Sequence, residues 1–312
     1  MKKKYVVGVD LGGTKIYTAL VDLEGNVVKE KIVKTEVEKG DKAIVCNIKS
    51  TIDYVIKDVE KEEIKAIGIG APGPLDARKG IIVETPNLPF KNFPLTDKIE
   101  NHYNLPVYLD NDANAAALAE HSFGAGVNTL NMVYITVSTG IGGGAILNGK
   151  IYRGTTSNAL EVGHNTVKPD GPRCGCGNKG CGERMASGTA IAKRAIEAIN
   201  TNVKTSLKNY NSITSKDVFE EAKKGDVVAK DIIDEALEYL GIIVSNVANT
   251  FDPDMIVIGG GVSNAGDVVF EKIEEVMNGR CLPIICENCI VKKAKLGGKS
   301  GVLGAAALAI TE

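Results

Sequence analysis

Residues 7–28 read VGVDLGGTKIYTALVDLEGNVV, and residues 134–152 read YITVSTGIGGGAILNGKIY. In each stretch an apolar, β-branched run ends in a polar, Gly-rich turn, a second run follows, and a further Asn- or Gly-bearing turn leads to a third. The hairpin order is the same and the turns fall in the same places, so the two stretches read as a duplication of one hairpin-linked α/β domain. Working outward, Ile44, Val45, Ile48, Ile52, Val55 and Ile56 recur at helical spacing within 41–61. Residues 65–70 predict a short buried strand, 81–83 an extension of that sheet, TPNLPFKNFP (85–94) a Pro-punctuated loop and 95–103 a helix. The strand at 106–109 then hands Asp110-Asn111-Asp112 to the head of an Ala-rich helix. After the second copy the pattern predicts helices at 187–200, near 216 and at 227–250, and a buried strand in MIVIGGGV (255–262). A helix at 265–278, a strand at 289–296 and a helix at 300–310 follow.

At 312 residues, 44% hydrophobic and 24% charged, the chain has an ordinary globular composition and room for roughly two domains. The net charge is −2 with pI about 6.1 and no long basic run, which argues against nucleic acid or an acidic membrane as partner. MKKK is followed by YVVGVDLGG, an apolar run interrupted too early by Asp10 for a signal-peptide core, so the expected location is cytoplasmic.

The stretch EVGHNTVKPDGPRCGCGNKGCGE, residues 161–183, packs His164, Cys174, Cys176 and Cys181 into one short segment. Three thiolates and one imidazole form the closed tetrahedral set of a structural zinc, with no position left for a catalytic water. Gly175, Gly177, Gly180 and Gly182 interleave the thiols and let the backbone curl around one ion. The competing reading is a surface loop of free or disulfide-bonded cysteines, and the ligand count weighs against it. Glu161 and Glu183 flank the ligands as acceptors for the hydroxyls of a polar ligand. Cys46 stands alone, and Cys281, Cys286 and Cys289 have no His or fourth Cys nearby, so they read as buried or edge-strand thiols rather than a second metal or redox pair.

Gly-rich turns after Asp10, after Ser138 and after Ile258 give three places where backbone N–H groups can meet phosphate oxygens. Any one of them alone would read as a hairpin turn. DLGGTK matches neither the GxxxxGK[ST] phosphate loop nor the GxGxxG dinucleotide fingerprint.

In order along the chain, DLGGTK, APGPLD, TPNL, DNDANAAALAE, STGIGGG, EVGHNTV, CGCGNKGC and IGGGV resemble the ROK family of sugar kinases and sugar-responsive repressors. The resemblance implies an actin-like, hexokinase-type (ribonuclease H-like) duplicated fold of two α/β domains with a cleft between them. The implied division is a small domain of 1–118 plus 299–312 and a larger one of 119–298 that carries the zinc loop. Repressors of the family have a further N-terminal helix-turn-helix domain, whereas here the first strand begins at Tyr5, which favours a kinase. The resemblance places Asp10 near a magnesium ion that accompanies ATP. Gly12, Gly13, Thr14 and Lys15, with Thr139, Gly140, Gly142 and Gly143, fall around the phosphates, and Gly259, Gly260 and Gly261 at the nucleoside. Asn111, Asp112, Glu161, His164 and Glu183 match sugar-binding positions, with His164 using one ring nitrogen for zinc and the other for a hydroxyl. Asp112 matches the catalytic base, and its plainer reading is the N-cap of the following helix.

Two departures stand out: Gly182 where the family carries a large apolar residue, and Lys299 where it tends to be acidic or amide. The expectation is an ATP- and Mg2+-dependent hexose kinase, glucokinase first. The alternatives are a kinase for N-acetylmannosamine, N-acetylglucosamine, fructose or allose, or a non-catalytic sugar sensor. The family implies a homodimer or homotetramer.

Overall fold

The computed structural model describes residues 2–85, 87–201 and 203–312; Met1 of the basic start and Pro86 of the TPNL motif lie outside them. The chain forms two compact units, Met1–Leu130 with Gly144–Ala159 and Lys295–Glu312, and Asn131–Gly143 with Leu160–Ala294. These differ from a division at 118 and 299 chiefly in Gly144–Ala159. That segment holds to the first unit through Arg153, whose Nε donates to Asp110 Oδ2 (2.6 Å), and Asn158, whose Nδ2 donates to Leu75 O (3.2 Å).

The first unit begins with β1 (Tyr5–Leu11), β2 (Lys15–Asp22), β3 (Val27–Lys34) and α1 (Asp41–Ile56), followed by β4 (Ile64–Ala71), β5 (Leu75–Asp76), β6 (Ile81–Glu84) and β7 (Lys91–Pro94). Next come α2 (Leu95–Tyr103), β8 (Val107–Asn111) and α3 (Asp112–Phe123). Then β9 (Met132–Val137), β10 (Ile141–Leu147) and β11 (Lys150–Tyr152) repeat the opening hairpins. The Cys-rich loop leads to α4 (Gly182–Ala186), α5 (Gly188–Asn200), α6 (Ser215–Lys223), α7 (Val227–Phe251) and β12 (Met255–Gly259). The remaining elements are α8 (Asp267–Arg280), α9 (Pro283–Cys286), β13 (Ile290–Lys293) and α10 (Ser300–Thr311).

The two main sheets run β3-β2-β1-β4-β8 and β11-β10-β9-β12-β13, the same order of corresponding strands, as duplication requires. Each uses a parallel partner on one side of its central strand: β1 with β4, and β9 with β12. β1 is buried on both faces because successive side chains alternate. Val7, Val9 and Leu11 join Ile44, Ile48 and Ile52 of α1, and Val6 joins Val302 and Ala306 of α10 on the other face. Helix α10 approaches so closely that a Cβ on Gly68 of β4 would lie 1.8 Å from Ala305 O, and one on Gly304 would lie 1.9 Å from Ala115 O of α3. Bare backbone at those two positions is what lets α10 seat between the sheet and α3.

The expected extension of the main sheet at 81–83 is not there. β6 is instead the centre of a separate three-stranded sheet, β5-β6-β7, in which Ile82 pairs with Phe93. Part of TPNLPFKNFP is therefore strand rather than loop, and buried Ile82 and Phe93 tie the small sheet to the same hydrophobic core as β1, β4 and α1.

Candidate active site and metal centre

In the first unit, Asp10 is the last residue but one of β1, and the turn that follows the strand is closed by Gly12 N–H donating to Lys15 O (3.0 Å). Thr35 at the end of β3 clamps it from outside: its hydroxyl donates to Gly12 O (2.6 Å) and its N–H to Thr14 O (3.0 Å). A Cβ on Gly13 would lie 3.0 Å from Asn87 O, so the TPNL segment lies against the turn. Burial raises the Asp10 carboxyl above its usual range, and Lys15 only partly offsets this. A partly buried carboxylate with one lysine to balance it suits a hard cation ligated by oxygen and water, which is the fit a Mg2+ site requires.

At the end of β8 the chain turns into α3. The cap is Asn111, not Asp112: Asn111 Oδ1 accepts from Ala113 N (2.8 Å) and Asn114 N (3.4 Å). Asp112 is exposed and opens the first turn, with Oδ1 accepting from Ala113 N at 2.8 Å. The plainer reading of Asp112 as the helix cap is thereby corrected, because β8 runs two residues past Leu109 and leaves Asn111 at the boundary.

Beneath them Asp110 is wholly buried, and its Oδ1 accepts from Asn111 N (2.8 Å) and Asn114 Nδ2 (2.8 Å). Its Oδ2 takes Arg153 Nε, and Arg153 Nη2 also reaches Glu312 Oε1 (2.7 Å). This pair, a buried carboxylate met by a half-buried guanidinium, underpins the Asn111-Asp112 corner, and neither role was evident from sequence.

In the second unit, the turn Ser138-Thr139-Gly140 links β9 to β10, with Ser138 N–H donating to Gly140 O (2.9 Å). Gly142 and Gly143 already belong to β10. Two further bonds anchor the turn: Gly188 N–H to Ser138 O (2.7 Å) and Ile141 N–H to Glu183 Oε2 (3.0 Å). Beside it lies a cavity of about 310 Å³ lined by Ser138, Thr139, Gly188, Thr189, Ser215 and Gly261. A second, of about 400 Å³, is lined by Lys216, Phe219, Lys223, Gly261 and Asn264. Of the three glycines after Ile258, Gly261 is the one that lines these cavities. A Cβ on Gly259 would meet Tyr134 Oη (2.2 Å), and one on Gly260, at φ 85°, would meet Val137 O (2.4 Å). The contributions of α5 and α6 escaped sequence reasoning, since Phe219 looks there like any apolar helix residue.

The Cys-rich loop is a pair of tight turns. Cys174 N–H donates to Asn178 O (2.8 Å), and Gly180 N–H to Pro172 O (2.9 Å). Gly180 has φ 62°, and a Cβ there would lie 1.5 Å from Lys168 O, so only glycine closes the loop. His164 Nδ1 and the three thiols all lie within 4.8 Å of one another, with Cys174 Sγ to His164 Nδ1 at 3.7 Å and Cys176 Sγ to Cys181 Sγ at 3.6 Å. Tetrahedral Zn–S bonds of about 2.3 Å imply ligand separations of roughly 3.7 Å, so the four side chains fit a closed zinc site. Among the described residues no other such cluster forms. Cys286 Sγ instead sits 3.2 Å from Asn278 Oδ1, Cys281 Sγ 3.7 Å from Ser245 O, and Cys289 is buried.

Glu161 precedes the short turn Val162–His164, and Glu183 lies in the first turn of α4, two residues after ligand Cys181. The two departures have local causes. A Cβ on Gly182 would lie 2.5 Å from Ile243 Cδ1 of α7, and Lys299 Nζ pairs with Glu30 Oε2 at 3.6 Å. No helix is long and apolar enough to cross a membrane among the described residues.

A family model described as ROK family matches residues 6–312. The glucokinase of Halalkalibacterium halodurans is 39% identical over 97% of this chain and 94% of its own length. The crystal structure of a ROK hexokinase from Thermus thermophilus superposes with a TM-score of 0.85 at 36% identity, covering 97% of each chain. A ROK family glucokinase from Streptomyces griseus, solved with glucose and AMPPNP, gives a TM-score of 0.78 at 36% identity over 97% of this chain and 98% of that one. The α/β, actin-like, hexokinase-type fold expected from sequence is the fold these likenesses share.

Proposed function

The chain belongs to the ROK family, and we propose that it is an ATP-dependent glucokinase that transfers the γ-phosphoryl group to glucose to give glucose 6-phosphate. The observation that carries the reading is Asp112. It is an exposed carboxylate that its helix does not need as a cap, held on a corner fixed by Asn111 and by the Asp110–Arg153 pair. A hydroxyl is a poor nucleophile until its proton is taken, and Asp112 would accept that proton. Asn111, Glu161, His164 and Glu183 would hydrogen-bond the sugar hydroxyls.

Backbone N–H groups around Gly12, Gly13, Thr14 and Lys15, and around Thr139 and Gly140, would meet the phosphates. The cavities on Gly261, Thr189 and Phe219 would take the nucleoside. Mg2+ entering with ATP would be held at Asp10 and would supply charge neutralisation on the phosphates. Zinc on His164, Cys174, Cys176 and Cys181 would be structural, fixing the backbone that carries Glu161 and Glu183. A cytoplasmic homodimer or homotetramer completes the proposal.

Initial rates with ATP and a panel of glucose, mannose, fructose, allose, N-acetylglucosamine and N-acetylmannosamine test it. Glucose should give the highest kcat/KM, because a site built to bond each hydroxyl leaves an acceptor unpaired when one is missing or inverted. An N-acetylated sugar turned over more efficiently than glucose would replace the glucokinase reading.

A further inference from the structure

Resting on the sugar-kinase reading above, we propose that Glu183 is a positioning residue for the donor-phosphate turn as well as a sugar ligand, so that sugar and nucleotide strengthen each other's binding through its carboxylate. One oxygen, Oε2, accepts from Ile141 N–H at 3.0 Å, at the junction of the Ser138-Thr139-Gly140 turn with β10. Contact is close enough that a Cβ on Gly140 would lie 2.4 Å from the same oxygen. With Gly188 N–H on Ser138 O, it is one of two bonds that tie the turn to other segments among the described residues.

The backbone that carries Glu183 is held from behind. Gly182 N–H donates to Asn165 O (2.9 Å), Arg184 N–H to Cys181 O (2.9 Å), and Cys181 belongs to the metal cluster. A hydroxyl that engages Oε1 removes the remaining rotational freedom of the side chain, which holds Oε2 on Ile141 N–H and the turn in one conformation. A nucleotide arriving at an ordered turn loses less conformational entropy than one that must order it. The coupling must be reciprocal, and effects of this kind typically reach roughly five- to 150-fold.

The experiment is calorimetric titration of the full chain with Mg2+–AMPPNP, with and without a saturating concentration of the hexose that gives the highest kcat/KM, and the reverse titration of hexose with and without AMPPNP. Wild type should show the same ratio of at least about fivefold in both directions. Glu183→Gln keeps a carbonyl acceptor for Ile141 N–H and should retain part of the ratio. Gly140→Ala pushes the carboxylate off Ile141 and should bring the ratio close to 1 while hexose still binds, which keeps the test open should Glu183→Ala abolish sugar binding. Far-ultraviolet dichroism and Tm confirm folding of each variant.

A wild type that phosphorylates hexose yet shows a ratio of 1, or a Gly140→Ala variant that keeps the wild-type ratio, overturns the coupling and leaves the kinase reading intact. A wild type that phosphorylates no hexose overturns both.

Discussion

Replacing Asp112 by Asn separates a catalytic carboxylate from a structural one. Asn111 already accepts from Ala113 N and Asn114 N, so the substitution leaves the cap of α3 in place. What is lost structurally is a negative charge in the first turn, worth about 0.3–1 kcal/mol against the helix dipole. For domains of this size that is a fall in Tm of no more than about 4 °C. By contrast, removing the cap itself with Asn111→Ala should cost about 1 kcal/mol. A general base contributes roughly 10²–10⁴ in rate, or about 2.7–5.5 kcal/mol of barrier, and an amide of the same size cannot replace it. Asp112→Asn should therefore bind glucose nearly as well as wild type by calorimetry. In a glucose 6-phosphate assay at saturating substrates its kcat should fall at least about a hundredfold. Near-wild-type turnover would refute the assignment of the base, and a wild type that binds sugar without turning it over would leave a sensor in place of an enzyme.

Three further outcomes follow from other parts of the molecule. Metal analysis of purified protein should find about one zinc per chain, and Cys176→Ser should weaken glucose binding, because the backbone carrying Glu161 and Glu183 relaxes. AMPPNP binding at the Phe219 cavity should be less affected, and metal-free protein with full glucose affinity would contradict this. Arg153→Met strands the buried Asp110 carboxylate and should cost about 3–5 kcal/mol in urea unfolding, with Asp110→Asn in the same chain recovering part of the loss; an unchanged midpoint would show that the pair carries no weight. Glu221 on α6 accepts from Lys224 Nζ (2.7 Å), Tyr210 Oη (2.8 Å) and the Ser206 hydroxyl, which hold its carboxyl down at about 2 against an ordinary 4.5. A depressed carboxylate stabilises the fold fully above its unfolded pKa and loses that as pH falls through the folded one. Glu221→Gln should thus lower the unfolding midpoint at pH 7, and the gap should narrow below about pH 4.5 and close towards pH 2; a gap independent of pH would rule out the charge as its source.

The parts of this chain that could be read from sequence are those whose physics is local or repeated. Hairpins announce themselves by turn residues between β-branched runs, and two copies in the same order imply the matching sheet orders β3-β2-β1-β4-β8 and β11-β10-β9-β12-β13. His164 and three thiols within eighteen residues predict one cluster, and their ligand atoms do lie within 4.8 Å of one another. Parts that depend on distant segments were hidden. Asp110 looks like one more acid in DNDAN until Arg153, on the far side of the second hairpin pair, is seen to neutralise it. Phe219 and Thr189 read as helix-face residues because periodicity reports which face is buried, not what space it borders. The distinction between Asn111 and Asp112 turned on where the strand ends, two residues past Leu109, and two adjacent side chains that can both cap a helix cannot be told apart by pattern.

The three Gly-rich turns show the same limit from the other side. Their sequences look alike, yet Gly259 and Gly260 are glycines because Tyr134 and Val137 press on them, whereas Gly140 is one because the Glu183 carboxylate does. Of these contacts, the last joins the turn proposed for the phosphates to the side chain proposed for the sugar, and a glycine-to-alanine scan should sort the two kinds. Alanine at 259 or 260 should lower stability with little change in the mutual dependence of the ligands, and alanine at 140 the reverse.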